Sequence, residues 1–88
     1  MSANTLRIEL VAEDAAVWSG DAKMVVAKTV EGEIGLLPGH EPMLAILAGG
    51  EVRITLPAGE IIKASAENGF LSVEHNLVTI VARHAALI

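Results

Sequence analysis

Hydrophobic positions along this chain recur mostly at every second residue. Leu6-Arg7-Ile8-Glu9-Leu10 alternates, and so does Val52-Arg53-Ile54-Thr55-Leu56. Such alternation sends one set of side chains inward and the other to water, which predicts half-buried strands. Met24-Val25-Val26-Ala27, Ile61-Ile62 and Leu77-Val78-Thr79-Ile80-Val81 are short apolar runs rich in β-branched residues. They predict strands buried on one or both faces. Turn signals punctuate these runs at short spacing: Ser19-Gly20-Asp21, Val30-Glu31-Gly32-Glu33, Leu37 to Pro42, Ala48-Gly49-Gly50-Glu51, Pro57-Ala58-Gly59-Glu60 and His75-Asn76. Asn68-Gly69 reads either as a tight hairpin turn or as a bend or bulge inside a longer strand. Leu10 to Trp18 and Met43 to Ala48 have helix-forming composition, but each is too short to hold as an unsupported helix. The first is read as a strand end plus loop, the second as a strand. Many short strands with frequent turns predict an all-β sandwich or barrel formed by residues 1–88 as one domain.

Composition sharpens this picture. The 88 residues are 52% hydrophobic but only 2% aromatic, with Trp18 and Phe70 the sole rings. The interior must therefore be aliphatic. Cysteine is absent, so disulfides and thiolate chemistry are excluded and packing alone must hold the core. Six Lys+Arg against eleven Asp+Glu leave a net charge of −5. With basic residues scattered and no set of exposed rings, nucleic acid is excluded as a partner. A mean hydropathy of +0.53 is high, yet no apolar run approaches the ~20 residues a membrane helix needs. Met1 to Thr5 lacks a basic segment followed by an apolar one, so no secretory signal is expected and the chain reads as cytoplasmic. High apolar content in so small a chain points to a surface that meets a partner.

Candidate chemistry is sparse. His40, His75 and His84 lie far apart in sequence and read as surface histidines rather than a metal site. No serine sits in a nucleophile elbow. Gly32-Glu33-Ile34-Gly35 lacks the spacing and the Lys-Ser/Thr of a phosphate-binding loop, and Glu33 would repel phosphate. No cofactor and no metal is expected.

The unusual stretch runs from Glu31 to Pro42. It predicts a short strand between glycine-containing turns, with Gly32 and Gly35 allowing close backbone approach or positive φ. Pro38-Gly39 suits the centre of a type II turn. Pro42 holds His40-Glu41 extended, because a residue before proline avoids the helical region. The product is a rigid edge carrying Glu33, His40 and Glu41, which reads as a docking surface.

Gly32-Glu33-Ile34-Gly35-Leu36-Leu37-Pro38-Gly39-His40-Glu41-Pro42 resembles the signature Gly-Glu-(Leu/Ile)-Gly-x-x-Pro-x-His-x-Pro of the ATP synthase ε subunit family. Trp18-Ser19-Gly20, Asn68-Gly69-Phe70-Leu71-Ser72-Val73 and Leu77-Val78-Thr79-Ile80-Val81-Ala82 resemble further family segments, in family order. The resemblance implies a flattened β-sandwich of two roughly five-stranded sheets. It also implies a non-catalytic rotor subunit at the foot of the central stalk, peripheral to the cytoplasmic face of the bacterial cell membrane. One side would pack on the γ subunit. The edge bearing Glu33, His40 and Glu41 would meet the polar loops of the c-ring, with Glu33 facing a basic residue, so that the membrane is met only through the c-ring. The strands beside Met43 to Leu47 suit the γ-facing surface. Family members usually continue into a C-terminal helical hairpin; this sequence stops at Ile88, so no hairpin function is carried over. Glu41 departs from the small or apolar residue usual there. Two other readings stand beside this one: a generic β-sandwich interaction module of another soluble complex, and a small hydrolase using His40 with Glu41 or Glu33.

Overall fold

The computed structural model describes residues 5–13 and 15–88. Met1 to Asn4, on which most of the signal-sequence reading falls, and Asp14 lie outside the described residues. Seven strands follow one another: β1 (Leu6–Ala12), β2 (Ala15–Ala22), β3 (Met24–Thr29), β4 (Gly32–Leu36), β5 (Met43–Thr55), β6 (Ile61–Glu74) and β7 (Leu77–Leu87). The alternating and β-branched segments lie in strands except for Leu56, one residue past β5, and Met43 to Ala48 forms the first part of β5.

Hydrogen bonding runs unbroken in the order β2-β1-β7-β6-β5-β3-β4, with β1 and β7 parallel and every other pair antiparallel. The expected sandwich is therefore one sheet folded over, not two separate sheets. β5, β6 and β7 are long enough to serve both layers. The first layer consists of β2, β1, Leu77–Ala82 of β7, Gly69–Glu74 of β6 and Met43–Ile46 of β5. In the second are His84–Leu87 of β7, Ile61–Glu67 of β6, Gly50–Thr55 of β5, and then β3 and β4. Each layer thus holds five segments, in keeping with the two roughly five-stranded sheets that the resemblance implies.

The folds in the sheet have local causes. The β5–β6 ladder lapses between the Ile46–Phe70 pair and the Gly50–Ala66 pair, where Gly49 and Gly50 adopt φ 89° and 121°. In β6, Asn68 takes φ 60° between the Glu67–His84 and Gly69–Ala82 pairs, and the register is the same on both sides of it. Between β3 and β5, Ala27 pairs with Val52 and Thr29 with Leu47, so Ala48 to Glu51 oppose Lys28 alone; extra residues of this kind bend the strand and increase its twist. So Ala48-Gly49-Gly50-Glu51 is a bulge inside β5, not the turn its composition suggests, and Asn68-Gly69 is a bend inside β6 with no extra residue on either strand. Ser19-Gly20-Asp21 likewise lies within β2 rather than ending a region. There the Trp18 ring lies over Gly20, with Cη2 only 2.9 Å from where a β-carbon would stand. The glycine makes room for the ring, and the strand continues. The segment from Leu10 to Trp18 accordingly holds the end of β1 and the start of β2, with less loop than its composition suggests.

The core lies between the layers and is aliphatic throughout. Leu6, Ile8, Leu10, Leu71, Val73, Val78 and Ile80 come from the first layer; Val25, Ala27, Leu36, Val52, Ile54, Ala64 and Ala66 come from the second. Trp18 packs against its margin, whereas Phe70 is 41% exposed on the outside. Among the described residues Thr29 is the buried polar side chain. Its hydroxyl donates to the Gly32 carbonyl (2.7 Å) and accepts from the Glu31 amide (3.2 Å), tying the turn that leads into β4.

Candidate functional site

β4 closes one side of the sheet and has a neighbour only in β3, which leaves it as an edge. Glu33 lies exposed on that edge, in register with Lys28 of β3. Its carboxylate also meets the Arg53 guanidinium of β5 at 3.5 Å. Gly32 opens the strand with φ 119°. Gly35 departs from the expectation placed on it: it lies inside β4, not in a turn, has no positive φ, and a β-carbon there would meet nothing within 4 Å. Within the chain, neither close approach nor strain calls for glycine at that position.

Beyond β4 the chain makes the turn expected of Pro38-Gly39. The His40 amide donates to the Leu37 carbonyl at 3.1 Å, and Gly39 takes φ 88° at the position where a type II turn needs it. His40 Nδ1 donates to the Glu41 carbonyl (2.8 Å), which holds the imidazole back against its own loop. Glu41 and Pro42 are exposed, immediately before β5. This loop is fastened to a second turn. Asn76 Oδ1 accepts from the Gly39 amide at 2.7 Å, and the Asn76 carbonyl accepts from the Arg7 amide at 2.7 Å. His75 and Asn76 have φ 50° and 63°, the two left-handed residues of a tight hairpin between β6 and β7. Asn76 was legible as a turn residue; its hold on Gly39 was not, because it joins positions far apart in the chain.

Removing that amide while keeping its backbone freedom isolates the fastening. In Asn76→Gly, the Gly39 amide loses its acceptor and exchanges with solvent at the rate of an open loop. The stability loss is about 0.5–1.5 kcal/mol, the net contribution of one hydrogen bond. Amide exchange at Gly39 reads this directly; unchanged protection there shows that the loop is held by other means.

A second surface is visible only through the register. Ile46, Phe70, Val81, Val11 and Ala16 stand directly opposite one another across β5, β6, β7, β1 and β2. They form one apolar row on the outer face of the first layer, running the full width of that layer. Leu44 (67% exposed) lies beside it, and Val30 (64% exposed) flanks it through a backbone bond to Ile46 of 2.9 Å. Sequence reasoning reached only the Met43 to Leu47 part of this row.

Among the described residues, no group of three His, Cys, Asp or Glu side chains is placed to hold a metal ion, and no helix is long and apolar enough to cross a membrane. Fold and topology together define a small all-β sandwich domain. The β-sandwich domain of the ATP synthase delta/epsilon chain matches residues 5–88. The ATP synthase epsilon chain of Micrococcus luteus is 50% identical over 82 residues, covering 93% of this chain and 90% of that one. That of Frankia casuarinae is 49% identical over 83 residues, covering 93% and 96%. In Streptomyces avermitilis the epsilon chain is 45% identical, and this chain spans 66% of its length. A chain in the cryo-EM structure of the Euglena gracilis mitochondrial ATP synthase (OSCP/F1/c-ring, rotational state 1) superposes with a TM-score of 0.90 at 24% identity. That superposition covers 96% of this chain and 54% of the other, and it shows a shared fold. The chain belongs to the ATP synthase epsilon-chain family and is a non-catalytic subunit.

Proposed function

We propose that residues 1–88 act as one domain of the central stalk, a rotor element that joins the γ subunit to the c-ring during ATP synthesis. It would be peripheral to the cytoplasmic face of the bacterial cell membrane. The observation that carries this reading is the pairing of two dissimilar surfaces on one rigid slab. The apolar row Ile46–Phe70–Val81–Val11–Ala16 suits a broad, dry contact with γ. The polar edge of Glu33, His40 and Glu41 suits the polar loops of the c-ring. The open backbone at Gly35 leaves room there for close approach by a partner.

Magnitudes assign the grip. A solvent-exposed ion pair contributes about 0–1 kcal/mol, so Glu33 alone cannot hold a rotor under load. A stable contact usually buries ~1,200–2,000 Å² with an apolar centre. Glu33→Ala should therefore lower affinity for the purified c-ring less than about tenfold and leave ATP synthesis in reconstituted vesicles largely intact. Abolished coupled synthesis with the domain still folded would sink this division of labour. Pull-down against separately purified γ and c-ring tests the reading as a whole; capture by neither favours a docking module of another complex.

A further inference from the structure

The Arg53–Glu33 pair spans an intervening strand. Arg53 lies on β5, where its register partner is Val26 of β3; Glu33 lies on β4, two strands away. Adjacent strands stand ~4.8 Å apart, so the two backbones are separated by roughly 10 Å. A guanidinium–carboxylate distance of 3.5 Å is therefore reached only with the Arg53 side chain laid across β3. The Glu33 carboxylate is drawn back over the outer face of the second layer, away from the open side of the edge. Lys28, directly opposite Glu33 on β3, adds a second cation on that inward side. Glu51 meets Arg53 from its own strand at 4.0 Å, so Arg53 stays in place after Glu33 departs.

We infer that Arg53 is a positioning residue that holds Glu33 in a parked orientation, and that docking of a basic side chain at the edge requires exchange of Arg53 for the partner's cation. The inference rests on the proposed meeting of Glu33 with a basic c-ring loop. Arg53 then lowers the affinity of the edge in two ways. It occupies the carboxylate, and it places positive charge beside the incoming one. Because both groups are exposed, the effect is small and salt-dependent.

The test is binding of the full chain to purified, detergent-solubilised c-ring at low and high salt. Arg53→Gln is expected to bind about two- to fivefold tighter than wild type at low salt, with the gain fading as salt rises. Arg53→Lys, which keeps the charge, stays near wild type. In a Glu33→Gln background the gain from Arg53→Gln largely disappears, because the two residues act on one contact. An equal gain in both backgrounds overturns the positioning role, and so does unchanged or weaker binding of Arg53→Gln when wild type binds. Absence of c-ring binding by wild type and every variant overturns the docking reading itself, and this inference with it. Matched melting temperatures establish that the variants compared are folded.

Discussion

Gly69→Ala loses roughly 3 kcal/mol or more of folding stability, a value at or beyond the upper end of ordinary overpacking. A β-carbon at Gly69 would overlap the Val81 carbonyl oxygen and stand 2.5 Å from the Ala82 Cα. Both are backbone atoms of the neighbouring strand, so no side chain can swing aside. The added methyl forces β6 and β7 apart at the point where both pass between layers. Leu71 and Val73 on one side and Ala64 and Ala66 on the other are carried on the same strand, so the disturbance reaches the core of both layers. For a domain of this size, each 1 kcal/mol shifts the midpoint by ~4–8 °C, so the melting temperature falls by roughly 12–24 °C. Gly35→Ala is the matched comparison. With nothing within 4 Å of its β-carbon and no positive φ, it changes stability by no more than about 0.5 kcal/mol. Thermal melts of the two variants decide the matter; similar midpoints show that β6 and β7 tolerate separation at the bend.

The same bend marks the limit of what was legible in sequence. Leu6-Arg7-Ile8-Glu9-Leu10 reveals its strand because period-two alternation is a local signal. Pro38-Gly39 reveals its turn because proline presets one angle and glycine supplies the other. Gly49-Gly50 and Asn68-Gly69 carry the same residues a hairpin turn would carry, and only pairing with the neighbouring strands shows a bulge at the first and a bend inside a continuous strand at the second. Ser19-Gly20-Asp21 has turn composition for another reason, the room its glycine leaves for Trp18. At the candidate site, the type of the residues Glu33, His40 and Glu41 could be read, but not their company. Arg53 reaches Glu33 across an intervening strand, and Asn76 holds a loop 37 residues earlier in the chain. The apolar row draws one residue from each of five strands, so no window along the sequence contains it.

If the proposed contact with γ holds, Ile46→Asp is expected to eliminate binding to the γ subunit while leaving the domain folded. Ile46 is 54% exposed and lies on the outer face, so its replacement opens no core cavity. The change in intrinsic stability stays within about 1 kcal/mol, the span of strand preference. In the complex the balance differs. An aspartate at the β5 end of the Ile46–Phe70–Val81–Val11–Ala16 row, beside exposed Leu44, forfeits apolar contact and is desolvated beside apolar neighbours with no partner cation in the row. Burying an uncompensated charge costs about 3–5 kcal/mol, which is a loss of roughly 10²–10³-fold or more in affinity. Ile61→Asp supplies the control. Ile61 is 57% exposed on the second layer, outside the row, and is expected to keep γ binding near wild type. Co-purification with γ, with circular dichroism to confirm the fold, reads both variants. Retained binding by Ile46→Asp with loss in Ile61→Asp moves the stalk contact to the other layer; retained binding by both removes the apolar row as the grip. An exposed pair such as Glu33–Arg53 offers no comparable lever, since its whole contribution is smaller than the desolvation of one misplaced carboxylate.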